Sequence, residues 1–97
     1  MGVLAMLELE GDTDALLEAG RRLDALLPDP PGVLVRIVAP TEDGIALFQL
    51  WESAEARAIH ADDPGHASAL AESGMRDLVR GSRSRVFDDA WLEVLPS

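Results

Sequence analysis

Residues 33–51 read VLVRIVAPTEDGIALFQLW. Two apolar runs rich in branched and aromatic side chains, 33–39 and 45–51, flank the turn-forming residues Pro40, Thr41, Glu42, Asp43 and Gly44. Two strand-like runs joined by so short a turn predict an antiparallel hairpin. Neither run alternates cleanly between apolar and polar residues, so both faces of the sheet are expected to be apolar. The chain has 97 residues, of which 47% are apolar. A domain of that size can cover one face of a sheet with its own helices and has nothing left for the other. A second copy packed face to face would cover it.

Outward from the hairpin, residues 3–9 (VLAMLEL) read as a buried strand ended by Gly11. Asp12, Thr13 and Asp14 then mark a helix start, with carboxylates at the positive end of the helix dipole. Leu16, Leu23 and Leu27 form its apolar stripe, widened by Leu17 and Leu26, and Glu18 and Arg22 sit one turn apart on the wet side. The PDPP at 28–31 stops it. After the hairpin, Ser53 predicts the cap of a helix beginning at Ala54. Asp62-Asp63-Pro64 interrupts that helix, with Asp63 as a new cap and Pro64 as the first residue of a renewed helix. The renewed helix carries Ala67, Leu70 and Ala71 inward and fades near Gly74. Residues 75–82 read equally as a helical extension or as a loop with a short strand. Residues 85–95, with Phe87, Trp91, Leu92 and Val94, predict the last strand, and Asp88-Asp89 within it predicts a bulge or an edge position. The order is β-α-β-β-α-β: one ferredoxin-like α+β domain over residues 1–97, with an antiparallel sheet, expected to form a homodimeric α/β barrel.

Composition narrows the chemistry. The chain has no cysteine, lysine, asparagine or tyrosine. Disulfides, thiolate nucleophiles, Schiff-base lysines and asparagine oxyanion donors are therefore excluded within it. The net charge is −10, and all eight basic residues other than histidine are arginines. Such a surface repels phosphate backbones and anionic lipid, so neither nucleic acid nor membrane is an expected partner. The first residues lack the basic and long apolar regions of a signal peptide, and a cytoplasmic protein is the expectation.

Both histidines, His60 and His66, fall just past the hairpin, in WESAEARAIHADDPGH at 51–66. This stretch resembles the antibiotic-biosynthesis-monooxygenase-like family of dimeric α/β barrels. There an aromatic or acidic pair ends a strand, Ser or Asp opens the helix, a His lies further along it, and a second His follows near a Pro. Trp51, Glu52, Ser53, Glu55, Ala56, His60, Pro64 and His66 match in kind and spacing. The resemblance implies a homodimer with a pocket between sheet and helices for a small aromatic, quinol or polyketide-type molecule. It implies that the molecule is deprotonated there and reacts directly with oxygen, with no cofactor. Haem-degrading relatives use an Asn-Trp-His set, which a chain without asparagine cannot complete.

Under that reading His60 is the candidate catalytic base, because an imidazole titrates near neutral pH. Its alternative is a helix-packing role. Arg36 and Gln49 each interrupt an apolar strand, and a buried polar group there must find a partner or bind something. Arg36 could hold an anionic substrate, Glu8, or a carboxylate across a subunit interface. Trp51 and His66 complete the candidate substrate-binding set; Trp51 could equally be a packing anchor, and His66 could help close the helix break. His60, His66, Asp62 and Asp63 match no standard metal-ligand spacing, so no metal is assigned. Arg80, Arg83 and Arg85 form the one basic cluster and read as a solvated loop. Two further readings stay open: a cyclase or isomerase using the same base without oxygen, and a dimeric module that binds a ligand or serves only structure.

Overall fold

The computed structural model describes residues 2–27 and 29–96. The elements run β1 (Gly2–Glu10), α1 (Thr13–Leu26), β2 (Val33–Pro40), β3 (Gly44–Trp51), α2 (Ala54–Ala61), α3 (Pro64–Glu72), α4 (Met75–Leu78) and β4 (Gly81–Ala90). The strands form one antiparallel sheet in the order β2-β3-β1-β4. This is the ferredoxin-like α+β plan expected from the hairpin, with the second helix divided into three. Among the described residues, no helix is long and apolar enough to cross a membrane.

The helix boundaries follow local chemistry. The Asp12 carboxylate accepts from the Ala15 N–H at 2.9 Å, and Ser53 Oγ accepts from the Ala56 N–H at 3.1 Å. The Asp63 carboxylate accepts from the Gly65 N–H at 2.9 Å, with Pro64 at the start of the helix, so the break at 62–64 is a cap-and-restart. Gly74, with φ of 81°, then takes the left-handed conformation that separates α3 from α4. Ser73 Oγ, fully buried at this corner, donates to the Leu70 carbonyl and accepts from the Met75 N–H. Arg22 Nε reaches across from α1 to the Ser73 carbonyl at 3.0 Å, tying the two helical layers together.

Strand alternation divides the sheet into two faces. Leu7, Leu9, Ile45 and Leu47 face the helices and pack with Leu16, Ala19 and Met75. The cross-strand rows Ile37–Phe48–Met6 and Val35–Leu50–Leu4 lie on the other face, which no helix of the chain covers. Ile37 there is 53% exposed, and Phe87 of β4 is exposed as well.

Four expectations need correction. The last strand is Gly81–Ala90 and not 85–95. Its ladder with β1 runs from Glu10–Gly81 to Gly2–Ala90. Trp91, Leu92 and Val94 follow the strand and are exposed. The strand begins early because the Arg80 N–H already donates to the Glu10 carbonyl at 2.8 Å. Arg83 and Arg85 therefore sit on an edge strand and not in a loop, and the Arg85 guanidinium lies 5.0 Å above the Phe87 ring. The expected irregularity at Asp88-Asp89 is present: the β1–β4 register shifts there, and Asp89 has φ of 57°. On α3, Ala69, Leu70 and Ser73 turn inward while Ala67 and Ala71 are exposed, so the buried side includes the Ser73 corner that bonds to Leu70 and Met75. On α1, Leu26 lies outside the core, because ten residues carry it about 80° around the helix from Leu16, whereas Leu23 and Leu27 stay on the cleft side.

Candidate functional site

The helices do not seal against the sheet, and two adjoining clefts lie between the layers. The first, of about 320 Å³, opens between α1 and the β2 edge and is bordered by Leu23, Asp24, Arg36, Val38, Gln49 and His60. The second, of about 520 Å³, opens toward β4 and is bordered by Leu7, Trp51, His60, Leu70, Met75 and Ser84 among others. Leu47 and Gln49 from the floor, and Leu23, His60, His66 and Met75 from the roof, border both, so the clefts meet beneath the two imidazoles. Each is within the size range of small-molecule sites.

The helix break explains why the histidines, six residues apart in sequence, act at one place. With α2 ending at Ala61 and α3 restarting at Pro64, the rings of His60 and His66 come to a centroid distance of 4.5 Å, tilted by 51°. The Trp51 indole at the end of β3 lies 5.4 Å from the His60 ring on its other side. Trp51 is only 1% exposed, yet its Nε1 has no hydrogen-bond partner among the described residues. A buried N–H donor with no acceptor is costly and uncommon, and this one belongs to a residue bordering the larger cleft. Trp51 is thus both a packing anchor and a cleft wall.

Arg36 faces the helices from β2, in register with Gln49. Its guanidinium pairs with Asp24 Oδ1 at 3.2 Å and Asp29 Oδ1 at 3.5 Å, while its Nε has no partner among the described residues. The suggested partner Glu8 is corrected: by strand alternation Glu8 belongs to the opposite face of the sheet. All five predicted residues, His60, His66, Arg36, Gln49 and Trp51, border one cleft or both. Among the described residues, no three of His, Asp and Glu cluster as a metal site.

Burial lowers the pKa of His60 below its ordinary 6.5 by withdrawing water from the charged form, and the neighbouring His66 lowers it further. Asp63 opposes this, and Arg36 adds a smaller lowering. The imidazole is therefore neutral at pH 7 and free to accept a proton. The same shift links stability to pH. Between the folded and unfolded pKa values the unfolded chain binds more protons, so this contribution is present above pH 6.5 and declines as pH falls through the folded value. Urea titrations at about pH 7.5 and about pH 5.5 are expected to show a smaller acid-induced loss of stability in His60→Gln than in the parent chain.

Residues not singled out in the sequence also border the clefts, notably Leu23, Arg57, Met75 and Arg76. Arg57 lies three residues before His60 on one helix, and that spacing is the signal that could have identified it. Met75 and Arg76 lie on α4, in the segment whose sequence left helix and loop open.

No family model matches the chain, and no curated protein matches it in sequence. Solved structures do match in fold. A protein from Chloroflexus aurantiacus J-10-fl, described as a candidate antibiotic biosynthesis monooxygenase, is 17% identical, with a TM-score of 0.76 over 99% of this chain and 100% of its own. SnoaB from Streptomyces nogalater, described as a cofactor-independent oxygenase, is 17% identical, with a TM-score of 0.67 over 99% of this chain and 96% of its own. A dimeric ferredoxin-like protein of unknown function from Jannaschia sp. CCS1 is 19% identical, with a TM-score of 0.67 over 91% of this chain and 99% of its own. At these identities the likeness is one of fold, and the chain has the ferredoxin-like α+β architecture of proteins described as antibiotic biosynthesis monooxygenases.

Proposed function

We propose that this chain is a cofactor-independent monooxygenase of an aromatic, quinol or polyketide-type small molecule, working as a homodimer. The observation that carries the reading is His60. A half-buried imidazole with a lowered pKa stands where the two clefts meet, near the unpartnered indole N–H of Trp51. The fold shared with the Streptomyces nogalater oxygenase supports it.

In this reading an acidic O–H or C–H of the substrate gives its proton to the free nitrogen of His60. The resulting anion is electron-rich and reacts with oxygen. One oxygen atom becomes a carbonyl at the attacked CH2 carbon, which loses both hydrogens, and the other leaves as water. Trp51 Nε1 and the Gln49 amide would donate to substrate oxygens, orienting the ring while the apolar walls exclude water. Oxygen uptake with a panel of anthrones, each with an acidic ring CH2, tests the proposal. Uptake with stoichiometric ketone formation supports it. Deuterium exchange at the acidic carbon without uptake would replace it with a cyclase or isomerase.

The second copy would cover the sheet face that carries Leu4, Met6, Ile37 and Phe48. The dimeric relative from Jannaschia sp. supports this arrangement. A charge placed in the middle of that face would be buried without a partner, so Ile37→Glu is expected to weaken self-association on the order of a hundredfold. Sedimentation equilibrium of the parent and the variant checks it; a parent chain that sediments as a monomer overturns it.

A further inference from the structure

Three of the eight arginines are in ion pairs: Arg21 and Arg22 with Glu18, and Arg36 with Asp24 and Asp29. The other five, Arg57, Arg76, Arg80, Arg83 and Arg85, have no carboxylate within 4.0 Å among the described residues. In a chain with 18 carboxylate side chains this is a selective distribution. Two of those five, Arg57 and Arg76, border the larger cleft, together with the hydroxyl residues Ser82 and Ser84 of β4, whereas the side chain of Arg85 belongs to the opposite sheet face, over Phe87. Arg57 comes from α2 and Arg76 from α4, so the two reach this cleft from different helices. The first cleft differs: both arginines that border it are already paired, Arg21 with Glu18 and Arg36 with Asp24 and Asp29.

The larger cleft is therefore amphipathic. Leu7, Leu47, Leu70, Met75 and Val79 make its body apolar, the unpaired Arg57 and Arg76 border it from the helices, and the hydroxyls of Ser82 and Ser84 border it from β4. The field of a chain with net charge −10 repels an anion at long range, so one that binds here needs local cations to hold it. A guanidinium with no internal carboxylate offers its paired N–H donors to an external one. We propose that the molecule held beneath His60 is an acid: an apolar aromatic body lying under the imidazoles, with a carboxylate held by Arg57 and Arg76 from the helix side of the larger cleft. This rests on the reading of the clefts as a ligand site and adds the class and the orientation of the ligand. It directs the end of the molecule remote from the carboxylate toward Gln49 and His60.

Fluorescence titration with 9-anthracenecarboxylate and with its neutral counterpart 9-anthracenemethanol tests the proposal in the full chain. The acid is expected to bind about tenfold tighter than the alcohol, as a charge-assisted contact supplies. The preference is expected to shrink severalfold as sodium chloride is raised, with the alcohol unaffected. In Arg57→Gln/Arg76→Gln the acid should fall to the affinity of the alcohol, and Arg57→Lys/Arg76→Lys should recover part of the preference. Circular dichroism of each variant establishes that it is folded. Equal affinity of acid and alcohol in the parent chain, or a preference that survives the glutamine pair, overturns the proposal while leaving the cleft as a ligand site. Failure of both probes to bind, with inorganic phosphate also failing to perturb the tryptophan emission, overturns the ligand-site reading along with it.

Discussion

Replacing His60 with glutamine is expected to lower kcat/KM for oxygen-dependent turnover by about a hundredfold or more, the lower part of the range for a positioned general base. Glutamine keeps a planar polar group of similar reach and removes the titrating nitrogen, so the cleft stays formed. KM should move little, because His60 contributes one of many walls to the clefts. The pH profile separates this role from simple packing. Burial and His66 hold the imidazole neutral below its ordinary pKa. The acid limb of the parent's kcat/KM should therefore lie below pH 6.5, with activity lost as pH falls through the lowered value and the proton occupies the base. The limb should vanish in His60→Gln, and added imidazole should restore part of the rate. Stopped-flow oxygen consumption on dimer of verified mass checks this. An unchanged rate in the variant would return His60 to a packing role.

Leu16→Ala is expected to have the largest effect on stability. Leu16 is fully buried, and Leu9, Ala19, Ile45 and Met75 surround it in the one cluster that joins α1, α4 and the sheet. Truncation there leaves a cavity between two rigid layers, at a cost of about 3 kcal/mol within the usual range for Leu to Ala. Small domains have roughly 5–15 kcal/mol in total, so the melting temperature should fall by roughly 10–20 °C. Leu26→Ala is the internal comparison. Leu26 belongs to the same sequence stripe but is exposed, and its loss should cost no more than about 0.5 kcal/mol. Thermal melts at one protein concentration check both, since self-association adds to apparent stability. Equal losses in the two variants would show that α1 is not seated on the sheet by Leu16.

The contrast between Leu16 and Leu26 marks how far the sequence could be read. Leu26 lies at the margin of the apolar stripe centred on Leu16, and how far around the helix the core reaches is a tertiary fact. The same holds for the last strand. Trp91, Leu92 and Val94 have strand-like side chains, whereas Gly81, Ser82, Arg83 and Ser84 do not; hydrogen bonding to β1 reversed that order of preference. An edge strand is held by its ladder more than by burial, and a ladder has no signature in one strand's own residues.

The site shows the same division. His60, His66, Trp51, Gln49 and Arg36 could be named because each is a polar or aromatic break in an apolar context. Arg57 offered only its one-turn spacing from His60, and Arg76 offered nothing, because a surface arginine on a helix is ordinary until its neighbours are known. Caps, turns and the hairpin are matters of a few adjacent residues, and for that reason the amino-acid order alone determined the ferredoxin-like plan, the helix restart at Pro64 and the bulge at Asp88-Asp89. The gap between helices and sheet, the meeting of Arg36 and Gln49 with the two imidazoles at one cleft, and the choice of which arginines go unpaired depend on distances between segments remote in the chain. Those distances were decided only when the layers packed.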